Sequence, residues 1–337
     1  MISIFTGTCR AIRHKGGIFL KHHITPALVL VFLAPMLAEL LSGHQSPVEF
    51  FNPLNFLILS FPYGCGALLC REIIIRWRKG RLSLVLLGIA YGMFEEGIVV
   101  RSIFNPEWPE LENIGMYSHV AGVTWTYAIL LLHFHVIVSI LAGVILTEIL
   151  FPDQRDEEWV SNRILYGCLL VLLLWIPAGV LMTAYFPSVQ LYSAAWIIII
   201  GLIWMAKKVP TNPLIEKRIG VPSPFWFWLL GCVNTPVIFL SVFFTADYNT
   251  PPLPVTILFL LIVEGLTFWL ILRWSGNGYA WDDRHRLALV AGFLTFFIYA
   301  CIEQDLESFR GSSIVAIMAI FSLWKLRNRV NKRLKKS

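Results

Sequence analysis

The chain has 337 residues, of which 57% are apolar and 14% are charged. Soluble domains carry about 45–50% apolar and about 25% charged residues, so this composition indicates a membrane protein and excludes disordered, coiled-coil and disulfide-rich secreted proteins. The net charge of +6 does not indicate a nucleic-acid partner, because the basic residues lie in short loops between apolar stretches.

Crossing a hydrocarbon core of about 30 Å takes about 20 mostly apolar residues in a helix. The sequence has ten segments of this kind and therefore predicts an all-α polytopic membrane protein with about ten transmembrane helices. The segments are 24–42, 54–70, 82–100, 122–150, 164–184, 189–206, 225–245, 255–272, 286–302 and 312–326.

The distribution of basic residues predicts the orientation. If the N-terminus is cytoplasmic, 25 of the 27 Lys and Arg residues fall in cytoplasmic segments, and Arg101 and Arg310 fall outside. By the positive-inside rule, we expect both termini in the cytoplasm of a protein integral to a bacterial or archaeal plasma membrane. The first span has no signal-peptide cleavage site and is predicted to be an uncleaved anchor.

The second span ends with the sequence YGCGALLCRE. Gly64 and Gly66 would allow a neighbouring helix to approach closely. Arg71 and Glu72 follow at the inner interface, where we expect a packing seam and a snorkelling pair of charged side chains.

The third span carries two adjacent carboxylates, Glu95 and Glu96, shortly before Arg101. Charged side chains inside a bilayer are costly and indicate a partner or a function. Two neighbouring carboxylates that share a proton would suit general acid–base catalysis. The alternative is a pair that only hydrogen-bonds to neighbouring helices or pairs with Arg101.

The segment 103–122 follows the glutamates on the outer side. Pro106, Pro109 and Trp108 favour an ordered cap at the interface, which could gate access to the glutamates. A plain loop is equally compatible with this sequence.

The fourth span carries His133 and His135 in mid-helix. Residues two apart on a helix point about 200° from each other, so only one histidine can face the glutamates, and the pair is a poor metal chelate. Ser139 shares a face with His135. The periodicity does not choose between the two histidines.

The hydrophilic loop 151–163 predicts a division between residues 1–150, with spans one to four and the Glu/His site, and residues 151–337, with spans five to ten and a basic tail. The cysteines form no CxxC or zinc-type pattern, and we expect reduced, buried thiols. They are Cys9, Cys65, Cys70, Cys168, Cys232 and Cys301.

Two later spans carry polar residues that suit a transport path. Asn234 precedes Pro236, which would interrupt span seven, and Glu264 lies in the middle of span eight. Broken helices and lone carboxylates line the ion paths of transporters, although Glu264 could also hydrogen-bond to a neighbouring helix. Glu39 and Glu148 lie near span ends, where we expect interfacial positions.

The motif EEGIVVR at 95–101, followed by a histidine-bearing span, resembles the CAAX-protease and bacteriocin-processing superfamily of intramembrane glutamic proteases. The resemblance implies that Glu95 and Glu96 activate a water molecule and that Arg101 takes the basic position of the motif. It further implies that His133 or His135 helps to form the oxyanion site. Because the charge rule places the glutamates toward the outside, we do not expect a prenylated CAAX substrate.

Together these features predict a metal-independent intramembrane hydrolase without cofactor, a glutamate-dependent protease acting on a membrane peptide or lipid-like substrate. Glu95, Glu96, His133, His135 and Arg101 would be catalytic, and Asn234, Glu264 and Ser139 would contact the substrate. The alternatives are a proton-coupled transporter or flippase that uses the same carboxylates, and a non-catalytic membrane scaffold.

Overall fold

The computed structural model describes residues 25–211, 220–276, 278, 280–307 and 310–336. It confirms the all-α membrane fold: each of the ten predicted apolar segments contains a helix, and eight of the described helices are long and apolar enough to cross a membrane. The principal helices are α1 (Pro26–Leu40), α2 (Pro47–Phe50), α3 (Pro53–Arg76), α4 (Arg81–Val99), α5 (Glu112–Ser118), α6 (Trp125–Leu150), α7 (Asn162–Met182), α8 (Val189–Lys208), α9 (Pro224–Tyr248), α10 (Leu253–Ser275), α11 (Asp283–Glu307) and α12 (Ser312–Leu334).

The first and last predicted spans differ from the other eight. Helix α1 is apolar but short, and Thr25 caps its N-terminus by accepting a hydrogen bond from the Leu28 amide. Helix α12 begins apolar, but its second half carries basic residues through Lys332 and Arg333. Cys9 and the basic residues of 1–23 lie outside the described residues.

The helix ends meet at two faces of opposite charge. At one face, which we call the basic face, Arg81 pairs with Glu148, and Asp283 accepts hydrogen bonds from Arg155 at 2.6 and 2.8 Å. At the other, the acidic face, Asn113 donates to Asp247 at 3.0 Å. Helices α4, α6 and α10 each run from one face to the other.

Helix α6 is the centre of the molecule. In α6, 78% of the most apolar stretch is buried. The corresponding buried share is 17% in α7 and α10 and 22% in α8. Side chains on the poorly buried helices are therefore suited to lipid contact. The apolar core draws on both sides of residue 150, including Leu30, Ile149, Leu172 and Phe297; the division at 151–163 stays a prediction.

The two glycines of α3 stand where neighbouring helices approach closely. A Cβ atom on Gly64 would lie 2.5 Å from the Val31 carbonyl oxygen of α1, and one on Gly66 would lie 2.2 Å from the Tyr91 ring of α4. Any larger residue would push these helices apart.

Arg71 and Glu72 do not snorkel to the interface as predicted, because both are fully buried under the loop after α6. Arg71 pairs with Glu72 at 2.5 Å and donates to the carbonyl oxygens of Arg155 and Glu157, each at 2.6 Å. The Trp159 ring covers the guanidinium at 3.5 Å. The loop thus replaces the water that a snorkelling pair would need.

Two further expectations fail, and one stays untested. Glu39 and Glu148 are buried by protein, and Glu148 meets Arg81 at the basic face; their interfacial placement stays a prediction. Pro236 does not interrupt α9, which is continuous from Pro224 to Tyr248, since a proline removes only one N–H donor from a helix. Of the described cysteines, four are buried free thiols, whereas Cys232 is partly exposed.

The cap at the acidic face contains secondary structure that the sequence did not predict. After α5 the chain forms a two-stranded antiparallel hairpin of β1 (His119–Val120) and β2 (Val123–Thr124). Gly122, at φ +78°, supplies the left-handed conformation that this tight turn requires. The hairpin leads directly into α6.

Candidate functional site

The two histidines of α6 contact glutamates on different helices. His135 Nε2 lies 2.8 Å from Glu96 Oε1 of α4, whereas His133 Nδ1 lies 2.5 Å from Glu264 Oε1 of α10. Residues two apart on a helix face nearly opposite directions, so α6 separates two Glu–His pairs.

The pair on the α4 side belongs to a larger group, which we call the carboxylate cluster: Glu95, Glu96, His135 and Ser139. His135 Nδ1 lies 3.1 Å from Ser139 Oγ and 3.7 Å from Glu95 Oε2. Ser102 donates a hydrogen bond to the second oxygen of Glu96. The histidine ring is 1% exposed, so the cluster is enclosed by protein.

Departures from regular α-helix position the cluster. Residues Phe94–Val99 and His135–Ala142 are π-helical, as is Met36–Leu40 of α1, which carries Glu39. Each wider turn rotates the following side chains relative to an α-helix. The three π-helical turns bring Glu39, the two adjacent glutamates and His135 close enough for their charges to interact.

Aromatic rings enclose the cluster. Tyr63 stacks on His135 at a centroid distance of 6.3 Å and an interplanar angle of 19°, and Tyr91 meets the same ring edge-on at 5.7 Å and 77°. We did not predict either tyrosine as a site residue. The sequence signal that could have indicated them is that each tyrosine lies inside a predicted span directly before a glycine, Gly64 or Gly92.

The pair on the α10 side borders a cavity. The His133 side chain is 1% exposed and the Glu264 side chain is 31% exposed. His133 Nε2 is buried and has no hydrogen-bond partner in the described part of the chain. Glu264 is therefore the accessible group of this pair, and His133 holds it from behind.

The cavity has a volume of about 440 Å³ and lies between α4, α6, α10 and α11. At the basic face its wall includes Arg81, Ser275 and Trp281, and deeper in the membrane it reaches His133 and Glu264. The Trp281 Nε1 donor is also buried without a partner among the residues described. Arg81 and Trp281 were missed because they lie outside the segments that we predicted to contain a site.

The carboxylate cluster does not line this cavity. The wall of the cavity contains none of the four cluster residues, Glu95, Glu96, His135 and Ser139. We predicted eight residues to act on a substrate, and all of them are described. Of these, the cavity wall contains His133 and Glu264.

Arg101 lies away from the glutamates. Its backbone is left-handed at φ +62°, and the guanidinium donates to the carbonyl oxygens of Gly179 at 2.8 Å and Thr183 at 3.0 Å. The Phe186 ring covers it at 4.8 Å. Arg101 therefore joins the cap to α7 and is not part of the carboxylate cluster.

Asn234 is also outside the cavity wall. Its Nδ2 donates to Thr267 Oγ1 at 3.1 Å, and the residue is 2% exposed. This contact joins α9 to α10.

The described residues contain no group of three or more His, Cys, Asp or Glu side chains arranged to hold a metal ion. The chemistry that the two Glu–His pairs can perform is hydrogen bonding, charge pairing and proton exchange. The cavity adds an apolar space into which the Glu264 carboxylate projects.

Residues 28–325 match the model of a family described as an uncharacterized membrane protein family. A stretch of 95 residues is 33% identical to the MFS-type transporter opaD of Aspergillus ustus. That alignment covers 23% of this chain and 16% of the transporter. No solved structure matches the chain.

The resemblance to intramembrane glutamic proteases is wrong. The matched family covers nearly the whole chain and is a different family. The EEGIVVR motif misled because it is short, and because adjacent buried glutamates also arise where a carboxylate needs a histidine partner.

Proposed function

We propose that this chain, which belongs to the uncharacterized membrane protein family matched above, is a proton-coupled transporter that carries a small molecule through the cavity. The observation that supports it best is the position of the His133–Glu264 pair. A cavity of about 440 Å³ extends from this pair to residues at the basic face. Ionisable groups at such depth mark substrate and proton pathways in membrane proteins.

The pair is suited to hold and release a proton. A carboxylate and an imidazole in contact share one proton as an ion pair or as two neutral groups, and both forms avoid net charge in the membrane. The exposed side of Glu264 faces the cavity, so a bound substrate can influence which form is preferred. Arg81, His133 and Glu264 are the ionisable side chains on the described part of the wall.

Helix α6 provides a way to couple the two Glu–His pairs. His133 and His135 are two residues apart, and a π-helical stretch begins at His135. π-Helical turns occur often at functional sites. A small rotation of α6 would alter His133–Glu264 and His135–Glu96 together, so that proton binding on one side of the helix changes the other.

The partial match to a transporter adds support for transport. The hydrolase hypothesis would require a substrate and water to reach Glu95, Glu96 and His135, and these residues do not border the cavity. Hydrolase and protease activity are therefore unsupported.

Access to the cavity from both faces is the test, because a transporter must expose its site to each side in turn. Ile129 borders the cavity beyond the His133–Glu264 pair. In vesicles, Ile129→Cys should react with a membrane-impermeant thiol reagent from the basic face and, after a pH change, from the acidic face. Leu82→Cys, at the basic end, is the positive control, and the unsubstituted protein gives the background.

Glu264→Gln should abolish the pH dependence of Ile129→Cys labelling, because the amide cannot exchange the proton. Glu303→Gln, on an exposed part of α11, should leave it unchanged. Labelling of Ile129→Cys from the basic face alone at every pH would refute the transporter.

A further inference from the structure

We infer that the cavity binds a lipophilic organic cation, an amine with a narrow apolar body, and that this cation exchanges with one proton of the His133–Glu264 pair. The inference rests on the proposed function and adds the chemical class of the substrate. It depends on the shape of the cavity, the chemistry of its wall and the balance of charge at its deep end.

The cavity is long and narrow. Ile129 and Ile145 both border it and are sixteen residues apart on α6, which corresponds to about 24 Å along a helix. A volume of about 440 Å³ over that length gives a width of about 5 Å. Such a space fits one extended hydrocarbon chain or a slim ring system and excludes globular solutes.

The wall is suited to an apolar body. It consists mainly of aliphatic side chains from α4, α6 and α10, with the rings of Phe268 and Phe293 beside them. A sugar, a nucleotide or a polyol would lose its hydrogen bonds to water without replacement there. An alkyl or aryl body would instead be stabilised in proportion to the apolar surface that it removes from water.

The charge at the deep end selects a cation. The Glu264 carboxylate projects into the cavity, and Phe268 lies one helical turn away on the same face of α10. A carboxylate next to an aromatic ring is a favourable environment for an ammonium group. Arg81, the other charged group on the described wall, already pairs with Glu148, so an anionic substrate would lack a free counter-charge.

His133 Nε2 is the second observation that points to a ligand. It is buried, borders the cavity and lacks a hydrogen-bond partner among the described residues. When the pair has released its proton, this nitrogen can accept a hydrogen bond from an N–H group of the amine. The ammonium would then contact both the Glu264 carboxylate and His133 Nε2.

The charge balance makes exchange obligatory. With one proton the pair has no net charge, and with the proton replaced by an ammonium ion the complex again has no net charge. The empty, deprotonated pair carries one negative charge, which is costly inside a membrane. Each cation that binds should therefore release one proton.

Three photoreactive probes with the same ten-carbon chain and terminal diazirine test the substrate class: a primary amine, an alcohol and a carboxylate. We expect the amine to label peptides from α6 and α10 about tenfold more than the alcohol in lipid vesicles, the ratio that a difference of about 1.4 kcal/mol in binding produces. Glu264→Gln should reduce amine labelling to the level of the alcohol. Glu303→Gln should leave amine labelling unchanged.

Proton release is measured in the same vesicles with a pH-sensitive dye, and one proton should appear for each non-photoreactive decylamine bound. Equal labelling by the amine and the alcohol, stronger labelling by the carboxylate, or no cavity labelling by the amine would each overturn the inference. These outcomes leave the two-sided access of Ile129→Cys untouched. Conversely, amine labelling with one-sided access would retain the cation site and refute the transporter.

Discussion

His133 and His135 contact different glutamates because their side chains leave α6 in nearly opposite directions. The sequence predicted this divergence but not the partners. Glu264 is 131 residues from His133 along the chain, and no local pattern relates the two positions. Proximity of Glu96 to His135 was expected from adjacent spans, whereas the partner of His133 depends on how α10 packs.

At the acidic face, His44 and Glu110 form a half-exposed pair with 3.6 Å between Nε2 and Oε2. Contact with Glu110 raises the pKa of His44 to about 9, although partial burial opposes this, and the charges of Glu39 and Glu96 act in the same direction as Glu110. The same contact, together with Tyr127 and Trp108, lowers the pKa of Glu110.

We predict that Glu110→Gln lowers the pKa of His44 toward the ordinary value of about 6.5. Because the pKa is raised in the folded protein, the stabilisation by this pair is complete below about pH 6.5 and is lost as the pH rises through about 9. The pair is half-exposed, so the effect on stability should not exceed about 1 kcal/mol.

Histidine NMR titration of the purified protein measures the pKa of His44 directly. The thermal midpoint of the unsubstituted protein should fall more between pH 6.5 and 9 than that of Glu110→Gln. Glu112→Gln, at an exposed residue two positions away, is the matched control. Titration of His44 near 6.5 in the unsubstituted protein would contradict the assignment.

At the level of helices, the lengths and limits of the apolar segments were predictable because hydrophobic thickness fixes them. The π-helical turns at Met36–Leu40, Phe94–Val99 and His135–Ala142 were not, since they depend on packing between helices. The continuity of α9 through Pro236 was missed for the same reason: Thr235 Oγ1 donates to the Phe293 carbonyl oxygen at 3.4 Å and helps to hold α9 against α11.

The loop after α6 gives a prediction at this scale. Arg71→Met removes one partner of a buried ion pair and the donors that hold the carbonyl oxygens of Arg155 and Glu157. Breaking such a pair leaves Glu72 buried without its full set of partners, at a cost of about 3–5 kcal/mol. We expect a lower thermal midpoint and at least tenfold faster tryptic cleavage after Arg155.

Arg163→Met is the control, because Arg163 is exposed at the start of α7. Its substitution should change neither the thermal midpoint nor the cleavage rate at Arg155. If Arg71→Met protein retained the cleavage rate of the parent, the loop would be held by contacts other than Arg71.

For the whole molecule, burial divides the helices by role. Helix α6 separates the enclosed carboxylate cluster from the cavity, whereas α7 and α8 remain largely exposed to the surroundings. The cluster is held by aromatic rings and serine hydroxyls, so it can stabilise the bundle while the His133–Glu264 pair meets a ligand. The sequence could not predict this separation, because both pairs consist of the same residue types at similar depth.

The orientation in the membrane decides which compartment supplies the cavity. The described Lys and Arg residues lie mainly at the basic face, and the sequence places 25 of 27 in the corresponding segments. By the positive-inside rule, we predict that this face and both termini are cytoplasmic. The cavity would then load a cation from the cytoplasm.

Reporter fusions measure this orientation. A green fluorescent protein fused after Ser337 should fluoresce, because it folds in the cytoplasm, and alkaline phosphatase inserted between Glu107 and Trp108 should be active outside. Fluorescent protein inserted in the loop 151–161 is the internal control and should agree with the C-terminal fusion. If the C-terminus and the loop 101–121 lay on the same side, the alternation of spans would be wrong. If all three reporters gave the opposite result, the helix assignments would remain valid but the basic face and its cavity would face outward. Cation exchange would then serve uptake instead of export.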